Sequence, residues 1–297
     1  MRNTPRLVQG LPPESLIVGS ALSVQVGAGL ATQLLRAHGW LPIVTLRIVF
    51  SALLVGALRP PRLRGVSRSA WLSAIVLGLD LALMNLVFYF SLSRIPLAVA
   101  VTIEFWGPLA VAVIGSRRAR DLAWVVLAAA GIWILTGGHV VADDALGLAA
   151  AFAAGAFWAR YIPIGARVAR EWPDGRGLTL AMLVAAALTL PLAAGTGALG
   201  QVLASPALVL AGLGIALFSS AIPYSLEIAV LDRIPTSTFG VLMSIEPAIA
   251  AVVGFIALGE ALSVPEVAAI AMVIVASAGA SLSARALPVV PGELESA

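Results

Sequence analysis

Ten apolar runs dominate the chain, at about residues 16–35, 42–58, 70–91, 97–115, 122–136, 146–166, 177–195, 207–231, 238–258 and 265–284, each separated from the next by Arg, Pro or Gly. A helix crossing the hydrocarbon core of a bilayer needs about 20 such residues. The pattern therefore predicts an all-α membrane protein of ten transmembrane helices. At about 20 residues per helix, roughly nine residues remain for each connection or tail. No soluble domain fits into that remainder, so function resides in the membrane-spanning part. Composition agrees: 60% of the 297 residues are hydrophobic and 11% charged, against about 45–50% and 25% in soluble domains. The fifth run is the shortest, because Asp121 and Gly137-Gly138 leave only about 15 residues between them, a length that neighbouring helices can accommodate.

Charge placement gives an orientation. All 18 basic residues are Arg. Fourteen, from Arg2 and Arg6 through the 59–68, 117–120 and 167–176 connections to Arg233 and Arg285, fall on one face when connections alternate, and only Arg36 and Arg94 on the other. Cytoplasmic connections carry the excess of positive charge, so both termini are expected in the cytoplasm, with 1–15 and 285–297 as tails. The first run is long and followed by nine more, which favours a retained helix over a cleaved signal peptide.

The same residues exclude several chemistries. With no Cys there is no disulfide and no thiolate chemistry, and His38 and His139 have no metal-ligand spacing. No metal and no cofactor is expected. The scattered arginines suit membrane topology and not nucleic-acid binding.

An internal repeat is present. Arg94-Ile95-Pro96 is followed by Pro108, and Arg233-Ile234-Pro235 by Pro247, with the same spacing and a constant offset of 139 residues. Five helices per half is an odd number, so the second half enters the membrane from the opposite face. That is an inverted-topology repeat, with halves at 16–139 and 145–284, a recurring basis of secondary transporters.

Polar residues at membrane depth are the candidate site. Glu104 precedes Phe105-Trp106-Gly107-Pro108 and Glu246 precedes Pro247, each acid roughly 10–15 Å from its helix start at about 1.5 Å per residue. An ionised carboxylate at the centre of a lipid-exposed helix costs at least about 2.5–3.5 kcal/mol, so both acids should face the bundle interior. Pro108 and Pro247 are expected to kink their helices and to free the carbonyls of Glu104 and Met243. Both acids are candidates for binding substrate or carrying protons, the alternative being that they serve the kinks alone. Asp80 is the other midplane acid. Asn85, five residues on, points to a different face and pairs with Tyr224 by the 139-residue offset, marking a helix–helix bond or a shared cavity. Arg47 is a candidate clamp for a carboxylate through its planar fork, or else snorkels to the outer surface or is paired within the protein. Arg160 and Glu227 read as a structural pair or as interface groups. Trp106, unlike the tryptophans near span ends, sits mid-helix where it either shapes a cavity or packs.

These segments carry a resemblance. Leu-Met-Asn-Leu-Val-Phe-Tyr-Phe at 83–90, Pro96 to Pro108 with Glu-Phe-Trp-Gly-Pro, Ser116-Arg117-Arg118, Pro-Tyr-Ser-Leu-Glu at 223–227 and Thr238-Phe239-Gly240 through Met-Ser-Ile-Glu-Pro at 243–247 resemble the EamA branch of the drug/metabolite transporter superfamily, over about 15–283. The resemblance implies ten helices in two inverted EamA repeats. It also implies export of small amino acids of the threonine/homoserine type across the bacterial inner membrane, driven by the proton gradient. Expected partners are thus a small amino-acid or metabolite substrate, protons and membrane lipid. The alternatives are an EamA-type exporter of another metabolite or drug, and an intramembrane lipid-modifying enzyme. The enzyme would need clustered His, Ser or Asp near one face and longer polar loops. An ion channel would need a filter sequence that is not present.

Overall fold

A computed structural model describes residues 10–61, 65–95, 97–116, 118–135, 144–197, 200, 204–249, 252 and 263–285, and no strand occurs among them. The helices are α1 (Pro13–His38), α2 (Trp40–Leu58), α3 (Arg68–Leu92), α4 (Leu97–Glu104), α5 (Trp106–Gly115), α6 (Ala119–Leu135), α7 (Ala145–Glu171), α8 (Arg176–Gly195), α9 (Pro206–Ala216), a π-helical segment (Leu217–Ala221), α10 (Ile222–Leu231), α11 (Thr236–Met243) and α12 (Val264–Arg285). Six spans are long and apolar enough to cross a bilayer: Pro13–Ala31, α2, α3, α7, α8 and the continuous Pro206–Leu231. Val99–Gly115 and Val267–Ala280 are shorter apolar stretches. The chain is a multi-pass helical membrane protein. Its outward side chains agree, with Ile114 85% and Leu210 69% exposed, which is the solvated state of an apolar group in lipid but not in water.

Helix ends follow local chemistry. Ser67 caps α3 by accepting from Ala70 N at 3.1 Å, Asp144 caps α7 by accepting from Gly147 N at 2.8 Å, and Ser205 precedes Pro206 at the start of α9. Gly39 joins α1 to α2 as a single residue at φ 78°, a left-handed conformation that only glycine adopts without strain. Asp144 also takes a two-pronged ion pair from Arg94, at 3.0 and 2.8 Å. Those bonds, with that from Gly147, hold its carboxyl below the usual carboxylate range. The clasp is therefore intact at neutral pH and is lost only as pH falls through that lowered value.

The fourth apolar run is not one helix. It breaks at Phe105, between α4 and α5, because Pro108 has no N–H for the Glu104 carbonyl. The ninth run breaks in the same way at Ser244, three residues before Pro247. Pro96, which belongs to the tripeptide repeat, lies outside the described residues.

Every principal seam joins a helix before residue 136 to one after 144. α3 packs on α7 and α8, α2 on α8 and α9, α1 on the π segment and α10, α4 and α5 on α7, α5 on α11, and α6 on α12. Lipid gives helices no hydrophobic reason to associate, so close backbone approach and van der Waals packing must do so. A side chain at Gly155 would meet the Glu104 carbonyl at 2.7 Å, one at Gly107 would meet the Gly155 carbonyl, and one at Gly240 the Pro108 carbonyl. These atoms are backbone and cannot swing aside. Gly240→Val is expected to destabilise the fold by about 1–3 kcal/mol, read as a lower melting temperature in detergent; an unchanged melting temperature would show that α5 and α11 separate easily.

Candidate functional site

The site begins with a proline. Pro223 has no N–H, so the carbonyl four residues back, Ser219, and the one a π turn back, Phe218, lose their usual donor. The helix widens into the π segment at this place, as helices often do at functional positions. Side chains from other helices take the freed carbonyls: Arg47 Nη2 donates to Ser219 O at 2.6 Å and Ser23 Oγ to Phe218 O at 2.7 Å, while Ser51 Oγ donates to Ala216 O at 3.0 Å. α1 comes close enough because Gly27 lies against Ser219, where any Cβ would collide.

Arg47, from the middle of α2, is the hub. Its Nε donates to Ser220 Oγ at 2.7 Å, and its two terminal nitrogens reach the Tyr89 and Tyr224 hydroxyls, each at 3.4 Å. The guanidinium lies 5.5 Å from the Tyr89 ring centroid. It does not turn toward the outer surface. No carboxylate forms an ion pair with it among the described residues, so a half-buried cation is held by four hydrogen bonds with one Nη1 N–H left for an anion.

Two acids face it. Glu104, the last residue of α4, feels the charge of Glu246 and of Arg47, and Glu246, just after the break at Ser244, that of Glu227 and of Arg47. Glu104, Glu246 and Arg47 are half-buried. Neither glutamate has a hydrogen bond or ion pair to another described residue. A third acid, Glu227, is different: it is buried, accepting from Ser20 Oγ at 2.8 Å and from the Tyr161 hydroxyl at 3.0 Å. A pairing with Arg160, one of the two roles the sequence leaves open for them, does not occur. Arg160 instead sets Nε 3.4 Å from Asp80 Oδ1.

That pair lies outside the centre. Asp80 is sealed and neither of its oxygens accepts a hydrogen bond, while Arg160 is 58% exposed at the edge of the α3–α7 seam. Asn85 points the other way on α3, into the centre, where Nδ2 donates to the Leu81 carbonyl at 2.8 Å and to the Tyr224 hydroxyl at 3.0 Å. The two positions related by the 139-residue offset thus touch. Trp106 turns away from Glu104: it stacks on Phe152 at 4.6 Å and donates Nε1 to the Phe152 carbonyl at 3.0 Å, on the flank of α7. Phe105 is the buried partner, edge-on to Trp158 at 5.0 Å. Pro108 is buried in α5 and Pro247 half-buried beyond α11.

Sequence reasoning passed over the π segment, Tyr89, Tyr161 and Ser20. The available signal was Pro223 inside an otherwise uninterrupted run, with Ser219-Ser220 one turn before it.

Among the described residues, the polar side chains of a multi-pass helical bundle thus converge at its centre. The chain belongs to the EamA-like transporter family. The family model matches residues 145–282. The chain is 42% identical to the threonine/homoserine exporter RhtA of Escherichia coli (strain K12) over 280 residues, 93% of this chain and 92% of that one. It is 40% identical to the protein of that name from Salmonella typhimurium (strain LT2) over 289 residues, 96% of each chain. A solved crystal structure, 21% identical, superposes with a TM-score of 0.72 over 93% of this chain and 99% of its own, and has the same fold.

Proposed function

We propose that this transporter exports small amino acids of the threonine/homoserine type from the bacterial cytoplasm across the inner membrane, in exchange for protons. The observation that carries the proposal is that, among the described residues, Arg47 has no ion-paired carboxylate and neither Glu104 nor Glu246 an ion-paired cation, although the three interact electrostatically. A zwitterion supplies both, its carboxylate on the remaining Arg47 Nη1 N–H and its ammonium between the two acids. Binding then replaces two desolvated, unpaired charges by pairs. The names of the relatives, which cover nearly the whole chain, point to the same substrate class.

The site also suggests the exchange. A carboxylate at this depth without a partner must take either a cation or a proton, so protons entering from outside displace the ammonium and substrate leaves. The halves at 16–139 and 145–284 form an inverted pair of five helices each, rocking about the centre. Support comes from the breaks at Phe105 and Ser244, which share the 139-residue offset, and from the seams: shifted by that offset, α3 on α7 becomes the π segment and α10 on α1.

Uptake of labelled threonine and homoserine into inside-out vesicles tests the function. Uptake that needs both the protein and an inside-acid gradient is expected; uptake unchanged by collapsing the gradient would remove the proton coupling, and none at all would remove this substrate class. Orientation has its own test, because the chain has no Cys and single cysteines give no background. Cysteines placed at the exposed Arg68 and Pro173 should resist a membrane-impermeant maleimide in intact cells, and one at Ser93 should react. The reverse pattern would put the termini outside.

A further inference from the structure

Beside the charged groups lies a neutral pair that the zwitterion does not use. The Tyr224 hydroxyl oxygen accepts from Asn85 Nδ2 at 3.0 Å and from Arg47 Nη2 at 3.4 Å. Both of its lone pairs are then occupied, and what it has left is its proton. Asn85 is fixed in the complementary sense. Nδ2 spends its two hydrogens on the Leu81 carbonyl, at 2.8 Å, and on Tyr224. A carbonyl only accepts, so the amide cannot be turned over, and Oδ1 can only accept. The bonds that Asn85 and Tyr224 make to described residues are these three, none of which reaches Asn85 Oδ1 or uses the Tyr224 proton. Both side chains are buried, at 4% and 6% exposure. A committed donor thus stands beside a committed acceptor, and a single hydroxyl group, accepting from one and donating to the other, satisfies both at once.

We infer that Asn85 and Tyr224 are the specificity-determining pair, reading a hydroxyl on the substrate side chain. This rests on the amino-acid exporter reading above and deepens it. Tyr224 shares Arg47 Nη2, so the hydroxyl subsite adjoins the carboxylate subsite, within reach of a hydroxyl on either Cβ or Cγ of an amino acid. A methyl in that place leaves the Tyr224 proton and Asn85 Oδ1 both desolvated and unpaired. Sites built to bond a hydroxyl reject analogues that lack it far more strongly than apolar pockets reject an extra one. The pair joins the two halves across the 139-residue offset, so a bound hydroxyl also draws α3 and α10 together at one point.

Competition against labelled threonine in inside-out vesicles tests this without any mutation. Unlabelled homoserine should compete at least about 100-fold better than norvaline, and threonine better than its isostere valine by a similar factor. Tyr224→Phe, which removes the donor and keeps the ring, should lower the threonine-over-valine preference at least about tenfold. Equal competition by valine and threonine in the parent protein overturns the inference, as does a folded Tyr224→Phe protein that keeps the parent's preference. If Tyr224→Phe does not fold, the parent panel decides alone. Should no amino acid move at all, the exporter reading fails and takes this inference with it, whereas movement without hydroxyl preference removes only the inference.

Discussion

Arg47→Lys is expected to lower threonine export by roughly 30- to 4000-fold. Truncating one partner of a buried, hydrogen-bonded charge pair costs about 2–5 kcal/mol, and each 1.4 kcal/mol is about a factor of ten. Lysine keeps the charge but not the fork. It cannot bind Ser219 O, Ser220 Oγ and both tyrosine hydroxyls while keeping a further N–H for a carboxylate. The π segment also loses the donor that covers the carbonyl freed by Pro223, so part of the effect is structural. Two measurements separate these parts: the melting temperature of the purified protein, and export of threoninol, which has no carboxylate. A small drop in melting temperature with a large loss confined to carboxylate-bearing substrates is the expected result. Equal losses for threonine and threoninol would remove Arg47 from the carboxylate site.

Glu104→Gln and Glu246→Gln should each reduce export about 10- to 100-fold, since a hydrogen bond to a charged group contributes about 1.5–3 kcal/mol. The change is nearly isosteric, and neither side chain bonds another described residue, so little packing is lost. What distinguishes the two acids from structural groups is the gradient. Glutamine carries no exchangeable charge, and the remaining transport should lose its response to an imposed pH difference. Because Glu104 feels the charge of Glu246, the double variant should be much less defective than the product of the two single effects. Asp80→Asn is the comparison. Asp80 faces Arg160 at the edge of the α3–α7 seam, so that variant should keep its gradient response whatever it does to stability. A gradient response that survives both glutamine changes and vanishes with Asp80→Asn would move the proton site to the periphery.

The parts of the site that sequence made visible share a physical origin. Glu104 and Glu246 stand out because an acid in an apolar run is expensive at its own position, whatever surrounds it. The proline breaks at Phe105 and Ser244 follow from a missing N–H only three residues further on. Trp106 was misleading for a related reason: its depth is a local property, but the direction in which its ring leaves the helix, onto Phe152, depends on α7. Asp80, equally conspicuous by depth, is held away from the centre by that same helix.

The multi-pass helical class was determined by sequence alone, since the hydropathy and length of a span are properties of consecutive residues and the bilayer supplies a fixed thickness against which to read them. The membership of the site was decided by tertiary structure. Arg47 reaches Ser219 and Ser220 across more than 170 residues of chain, Tyr161 reaches Glu227 across 66, and Asn85 meets Tyr224 across 139. Those meetings depend on seams that join helices before residue 136 to helices after 144, set by where glycines let backbones approach. In lipid, where apolar side chains gain nothing by leaving the solvent, such packing selects the partners. No periodicity along the chain encodes that choice.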